Sequence, residues 1–344
     1  MDPVLRKHRQ KQAGICVALA ILTVVLFLAD LCYGAVSISL SEIIDILSGK
    51  ATHAGHAFII NDFRLPKAIT ALTAGAAIAV SGLIMQTFFR NPLAGPFVLG
   101  VSSGASLGVA LLVMAGSIFG SFFIYGQWAI ILAGLIGSAL VLTLVVMASS
   151  KVNDPVSLLI IGLMFGSFTS AIVSVLQYFS IPELVQAYLF WTFGSLSGVG
   201  WEQLSWLVPA VVAGLLLSLM LRKNLNLLLL GEHYAVSLGM NVKRNRFLVI
   251  VVTCLLAGVV TAFCGPIAFL GMAVPHLARN LMNTADHGKL IPVTALLGAI
   301  LLLFCDICTQ LPGKDLALPI NALTSLIGAP VVIAIILKRN KASF

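Results

Sequence analysis

The chain has 344 residues, 60% of them hydrophobic and only 9% charged, with a mean hydropathy of +1.08. Soluble domains carry about 25% charged residues, so this composition belongs in a bilayer and leaves no room for a large extramembrane domain. The formal charge of +8 does not point to nucleic acid, because the bases sit at the ends of apolar runs rather than along one face.

A membrane-crossing helix takes about 20 apolar residues, and irregular backbone is not tolerated against lipid. On that rule the sequence predicts an all-α membrane protein of ten transmembrane helices, at roughly 13–33, 66–88, 97–118, 127–148, 156–179, 203–221, 247–263, 267–282, 292–311 and 318–337. The eighth is short and begins at a break, Gly265-Pro266. Residues 1–344 read as one transmembrane domain, with a cytoplasmic tail at 1–12 and a longer cytoplasmic loop at 222–246. The first apolar run outlasts the 7–15-residue core of a signal peptide. Leu31 ahead of Cys32 also fails as a lipoprotein cleavage site, so a retained first helix is expected.

With the N-terminus inside, sixteen Lys and Arg residues fall in the cytoplasm, and only Lys50, Arg64, Lys67 and Lys314 fall outside. That asymmetry is the positive-inside signal, and shifting the span count by one destroys it. Both termini are therefore expected in the cytoplasm. The pattern Ala74-Gly75-x3-Ala79-x2-Gly82 recurs as Ala257-Gly258-x3-Ala262-x2-Gly265, first in a helix running inward and then in one running outward. Inverted repeats of this kind build related gates around a midplane pathway in many transporters.

Arg64-Leu65-Pro66-Lys67 stands at the outer mouth of the second helix, where Pro66 suits a first turn. Its two bases read either as headgroup anchors or as contacts for an acidic partner. At the inner end of that helix, Phe89 to Pro96 form a tight basic turn. In the fifth helix Ser167, Ser170, Ser174 and Gln177 recur at spacings of three or four and make one polar stripe. Such a stripe lines a helix interface or a pathway, and a bulky solute favours the pathway.

Within the 222–246 loop, Glu232 to Gly239 can form a short helix, with Glu232 in the first turn and Gly239 as its terminator. The residues alone leave two readings, a membrane-surface segment or a docking knob. Asp306 is the clearest ionisable group inside a span and a functional suspect by default. Its place near an outer helix end favours a structural hydrogen-bonded role over ion coupling. His276 reads as a packing residue, and Cys305-Asp306-Ile307-Cys308 lacks the second ligand pair of a zinc site. The chain has no GxxxxGK[ST] loop, so any ATP used in transport is handled by another polypeptide.

A set of motifs in order carries a family resemblance. They are Arg64-Leu65-Pro66, Asn91-Pro92-Leu93-Ala94, Gly100-Val101-Ser102-Ser103-Gly104, Leu238-Gly239, Gly265 to Gly271 (GPIAFLG), Val274-Pro275-His276, Asp286-His287, Leu318-Pro319-Ile320 and Gly328-Ala329-Pro330. Nearly end to end, the chain resembles the iron-chelate and vitamin B12 permeases of bacterial ATP-binding-cassette importers.

The resemblance implies a multi-pass protein of the bacterial inner membrane that forms a homodimer around a central pathway. It implies two cytoplasmic ATPase subunits and a periplasmic or lipid-anchored substrate-binding protein as partners. By the same resemblance Arg64 and Lys67 dock the binding protein, and Glu232, His233, Ala235, Leu238 and Gly239 couple to the ATPase. Asn91, Leu93, Pro155 and Val156 form the inner gate, and Ser167, Ser170, Ser174 and Gln177 line the route. The chain itself is expected to be no enzyme and to hold no metal or cofactor, ATP and Mg being bound by the ATPase. An iron–siderophore complex is the first expected cargo, haem or cobalamin the alternative, and an ion-coupled secondary transporter the competing class. The resemblance also leads to the expectation of a base a few residues after Asp306 and an acid before Leu318-Pro319. Gln310 and Ala317 stand there instead, with Lys314 nearby.

Overall fold

The computed structural model describes residues 3–50, 53–115, 126–152, 154–310 and 318–341. Lys314 and Ala317 lie outside these. Every described regular element is helical. In chain order they are α1 (Pro3–Cys32), α2 (Leu40–Leu47), α3 (Ala54–Phe58), α4 (Leu65–Phe88), α5 (Val101–Ala110), α6 (Gln127–Lys151) and α7 (Pro155–Phe179). Then follow α8 (Pro182–Thr192), α9 (Trp201–Met220), α10 (Arg222–Leu230), α11 (Glu232–Ser237), α12 (Val242–Cys264), α13 (Leu270–Met282), α14 (His287–Thr309) and α15 (Ile320–Lys341).

Among the described residues seven helices are long and apolar enough to span a bilayer, and Val101–Ala115 and Ile320–Ala334 form shorter apolar helices. Together with α13 they occupy all ten positions expected from the sequence. Several bounds differ. The first helix starts at Pro3, so most of the expected tail is helical. The eighth starts only at Leu270, because Gly265 (φ +74°) and Phe269 (φ +64°) turn the backbone out of helix. A π-helical stretch, Ile59–Arg64, leads into α4. Pro66 explains it, since a proline has no N–H to donate and crowds the carbonyl four residues back. Helices α2, α8 and α10 are not expected from the sequence; each is too short to cross a bilayer.

Lipid tails give helices little hydrophobic reason to associate, so close backbone packing must supply the contact energy. The small residues do this. A β-carbon on Gly75 would collide with the Gly298 carbonyl of α14, and one on Gly298 would collide with the Gly75 carbonyl of α4. Gly82 presses likewise on Gly271 of α13, and Gly104 on Gly137 between α5 and α6.

The second copy of the Ala-Gly pattern packs less tightly, on α6. A β-carbon on Gly258 of α12 would stand 3.5 Å from the β-carbon of Ser138, and one on Gly134 would stand 3.2 Å from Ala262 Cα. Helix α4 thus packs on α14 and α12 on α6, and α4 and α12 are the most buried of the spans. The remaining spans ring them, with α1, α6 and α7 mostly exposed.

Candidate functional site

At the outer end, α1, α4 and α14 are laced by charge. The Arg64 guanidinium is buried and donates to the carbonyls of Leu31 (2.7 Å), Cys32 (3.1 Å) and Val36. Lys67 Nζ lies 3.0 Å from Asp306 Oδ2, and Gln310 Nε2 donates to Asp30 Oδ1 at 3.3 Å. Three of these polar side chains, Asp30, Arg64 and Asp306, are less than a tenth exposed. The two bases expected to reach for a partner therefore point inward. The groups that hold them come from α1 and α14, remote in sequence, and charge counting along the chain does not bring them together.

At the inner end, a cavity of about 600 Å³ gathers Phe88, Phe89 and Arg90 from the end of α4, Asp154 and Val156 from the start of α7, and Gly231 to Tyr234 from the loop helix. Two of the segments expected to form gate and coupling site thus share one space. Asn91 and Leu93 sit beside it in a tight turn, where the Asn91 carboxamide oxygen accepts from the Leu93 N–H at 2.9 Å. They do not line the cavity. Pro155 occupies the first turn of α7, which Asp154 caps by accepting from the Ser157 N–H (2.8 Å) and hydroxyl (2.9 Å). Those two bonds, the backbone one first, hold the Asp154 carboxyl below the ordinary range.

Helix α11 starts at Glu232 as expected, and Gly239 (φ +87°) ends the segment. Its two faces divide the expected coupling residues. Ala235 is fully buried, and Glu232 turns inward to pair with Arg246, whose Nη2 lies 2.8 Å from Oε1 and 3.0 Å from Oε2. His233, Leu238 and Gly239 are exposed, and so are Tyr234 (61%) and Val236 (54%). The outward surface is thus His233, Tyr234, Val236 and Leu238, two of which the sequence alone does not single out. Their signal is available there: they flank the buried Ala235 on a helix only six residues long.

The neighbouring α10 is tied elsewhere. Asn226 Oδ1 accepts from the His287 N–H (2.9 Å) and contacts His287 Nδ1 (2.7 Å), while its amide donates to Asp286 Oδ1 (2.9 Å). His287 Nε2 in turn faces the Thr87 hydroxyl of α4 at 2.8 Å.

A second cavity, of about 540 Å³, is lined by Ser102, Ser103, Ser106, Ser170, Ser174, Tyr188, Thr192 and Asn321, with Val173, Phe193 and Pro266. Among the described residues it holds seven hydroxyls and an amide, and no formally charged side chain. Ser170 and Ser174 of the expected stripe line it; Ser167 and Gln177 lie on the same helix but outside its wall. Helix α8 contributes Tyr188, whose hydroxyl lies 2.6 Å from Ser106 Oγ.

Against this geometry stands a family match: the FecCD transport family aligns with residues 22–338. The chain belongs to the FecCD transport family. It is 35% identical over 337 residues to the vitamin B12 import system permease proteins BtuC of Salmonella schwarzengrund (strain CVM19633) and of Salmonella typhi, covering 97% of this chain and 98% of each relative. A solved structure of an ABC transporter assigned to the metal-chelate type, in an inward-facing conformation, superposes with a TM-score of 0.84 at 32% identity, covering 95% of this chain and 99% of that one. As a FecCD protein the chain is a multi-pass inner-membrane permease subunit of the metal-chelate and vitamin B12 class of ABC importers. ATP hydrolysis belongs to a separate subunit, and a binding protein delivers the cargo. The ion-coupled reading falls with that assignment, and Asp306 has a local partner in Lys67.

Proposed function

We propose that two copies of this chain form the membrane core of an importer for a bulky metal chelate, and that the hydroxyl-lined recess is half of the route between them. The observation that carries this is the outer face of α7. Ser167, Ser170 and Ser174 lie there beside the exposed Phe168 (64%) and Tyr178 (84%), and the recess opens along the same helix. A second copy laid against this face encloses the recess. Among the described residues the lining offers many hydrogen bonds and no fixed charge, which suits a large solute that must enter and also leave.

An iron–siderophore complex is the first reading for the cargo, since its many oxygen and amide groups match such a wall. Cobalamin is the second, favoured by the identity to relatives named as vitamin B12 permeases. The ATPase subunits dock on His233, Tyr234, Val236 and Leu238, with Glu232 and Ala235 anchoring that helix from behind. Asn91, Leu93, Pro155 and Val156 close the inner mouth beside it. The binding protein docks at the outer mouth around Arg64 and Lys67, whose inward bonds make them organisers of that surface more than free contacts. Residues 1–344 act as one domain.

The test is reconstitution in proteoliposomes with candidate ATPase and binding-protein subunits, measuring uptake of a ferric siderophore and of cyanocobalamin. ATP-dependent uptake of the first but not the second is expected. Uptake driven by a proton or sodium gradient without any ATPase defeats the whole reading, and cobalamin uptake alone replaces the first cargo with the second.

A further inference from the structure

Arg246 begins as an unremarkable base before an apolar run, yet its side chain is only 7% exposed. Burying a guanidinium is costly unless its donors are used, and here they are shared between two segments. Nε and Nη2 bind the Glu232 carboxylate, at 3.1 Å and 2.8 Å to Oε1, which fixes the first residue of α11. Nη1 donates to the Val152 carbonyl at 2.9 Å, at the end of α6. Two residues beyond Val152, Asp154 caps α7, the helix that carries Ser170 and Ser174 into the recess.

We propose that Arg246 is the positioning residue that transmits motion of α11 to Val152 at the end of α6 and so to the neighbouring Asp154 cap of α7, so that the ATPase opens and closes the inner end of α7 through this guanidinium. This rests on the docking reading of α11. The physical case is one of stiffness and reach. Helix α11 is only six residues long and turns His233, Tyr234 and Val236 outward, so it moves as a unit when a docked subunit moves. A planar fork held at both ends by charge-assisted or backbone hydrogen bonds passes that displacement on, whereas van der Waals contact across a 600 Å³ cavity does not. The other tie of the loop, Asn226 to His287, leads to α14 and α4. It serves as the fixed end against which α11 tilts.

The experiment uses the complete transporter in proteoliposomes, comparing wild type with Arg246→Met, Arg246→Lys and Glu232→Gln. Spin labels on Ser237→Cys in α11 and Ile160→Cys in α7, both exposed, report whether the two helices shift together through the ATP cycle. The expected result is that Arg246→Met still co-purifies with the ATPase and hydrolyses ATP near the wild-type rate, but moves at least about five-fold less cargo per ATP. In that variant the α11 label still shifts with ATP and the α7 label does not. Arg246→Lys and Glu232→Gln, which keep volume and fold, fall between it and wild type. Unchanged cargo per ATP with both labels still moving together overturns the inference. A Tyr234→Arg variant, run in parallel, is expected to lose the ATPase; if it keeps the ATPase, the docking reading is overturned instead.

Discussion

The Lys67 ammonium lies 3.0 Å from Oδ2 of Asp306, joining α4 to α14 where both approach the outer surface. Asp306 is 2% exposed and Lys67 15%, so neither charge is well solvated on its own. This pairing accounts for a carboxylate inside a span without invoking ion coupling, and it engages a base that the sequence alone offers to a partner.

Breaking the pair is therefore expected to cost more than removing it. Lys67→Met leaves a buried carboxylate uncompensated and should destabilise the protein by about 3 kcal/mol. The double variant Lys67→Met with Asp306→Leu should recover most of that loss. Denaturant unfolding in detergent micelles checks both, and equal stability for the single and double variants counts against the argument.

The contact between α4 and α14 gives a second expectation. A β-carbon at Gly75 or Gly298 meets the opposing backbone carbonyl, and a carbonyl cannot rotate away as a side-chain end can. Gly75→Ala should therefore force the helices apart and cost about 2–3 kcal/mol. Gly14, in α1, is the contrast, because a β-carbon there meets nothing within 4 Å among the described residues. Gly14→Ala should be neutral or stabilise by about 0.5 kcal/mol. Parallel thermal melts of the two variants separate helix propensity from packing.

These two contacts mark how far the sequence can be read. The small-residue pattern of Gly75 and Gly258 is legible because close helix packing in lipid demands small side chains at fixed spacing, and it marks the contacts of α4 with α14 and of α12 with α6. The short loop helix is legible because Glu232 and Gly239 are local signals. The partners of Arg64, Lys67 and Arg246 are not, since Leu31, Asp306 and Val152 reach them only through tertiary packing. Helix α8 escapes because eleven residues are too few for a span and its apolar side chains are divided between buried Tyr188 and exposed Leu189 and Phe190.

Acid should loosen the start of α14. Asp286 caps that helix, and its carboxylate accepts from Asn226 (2.9 Å) and from the Gly288 N–H (3.0 Å). These bonds, the Asn226 one first, hold its carboxyl below the ordinary range. A lowered folded-state value means the stabilisation is complete above the unfolded value of about 3.9 and is lost as pH falls through the folded one. Stability measured from pH 6 down to pH 3 should fall more steeply in wild type than in Asp286→Ala. That variant should start about 1 kcal/mol lower at pH 7 from loss of the cap.

The outward face of α11 supplies the last expectation. Tyr234 and Leu238 are 61% and 56% exposed, so charge placed there meets water and disturbs no packing in the isolated chain. Ala235, between them, is fully buried. Tyr234→Arg combined with Leu238→Arg should abolish co-purification with the ATPase while leaving the thermal unfolding of the permease unchanged. Ala235→Arg should instead lower the unfolding temperature, because a guanidinium cannot be solvated in that space. Retention of the ATPase by the double Arg variant would place the docking contact on another cytoplasmic segment, and the Glu232–Arg246 pair would then anchor a helix with no motor attached to it.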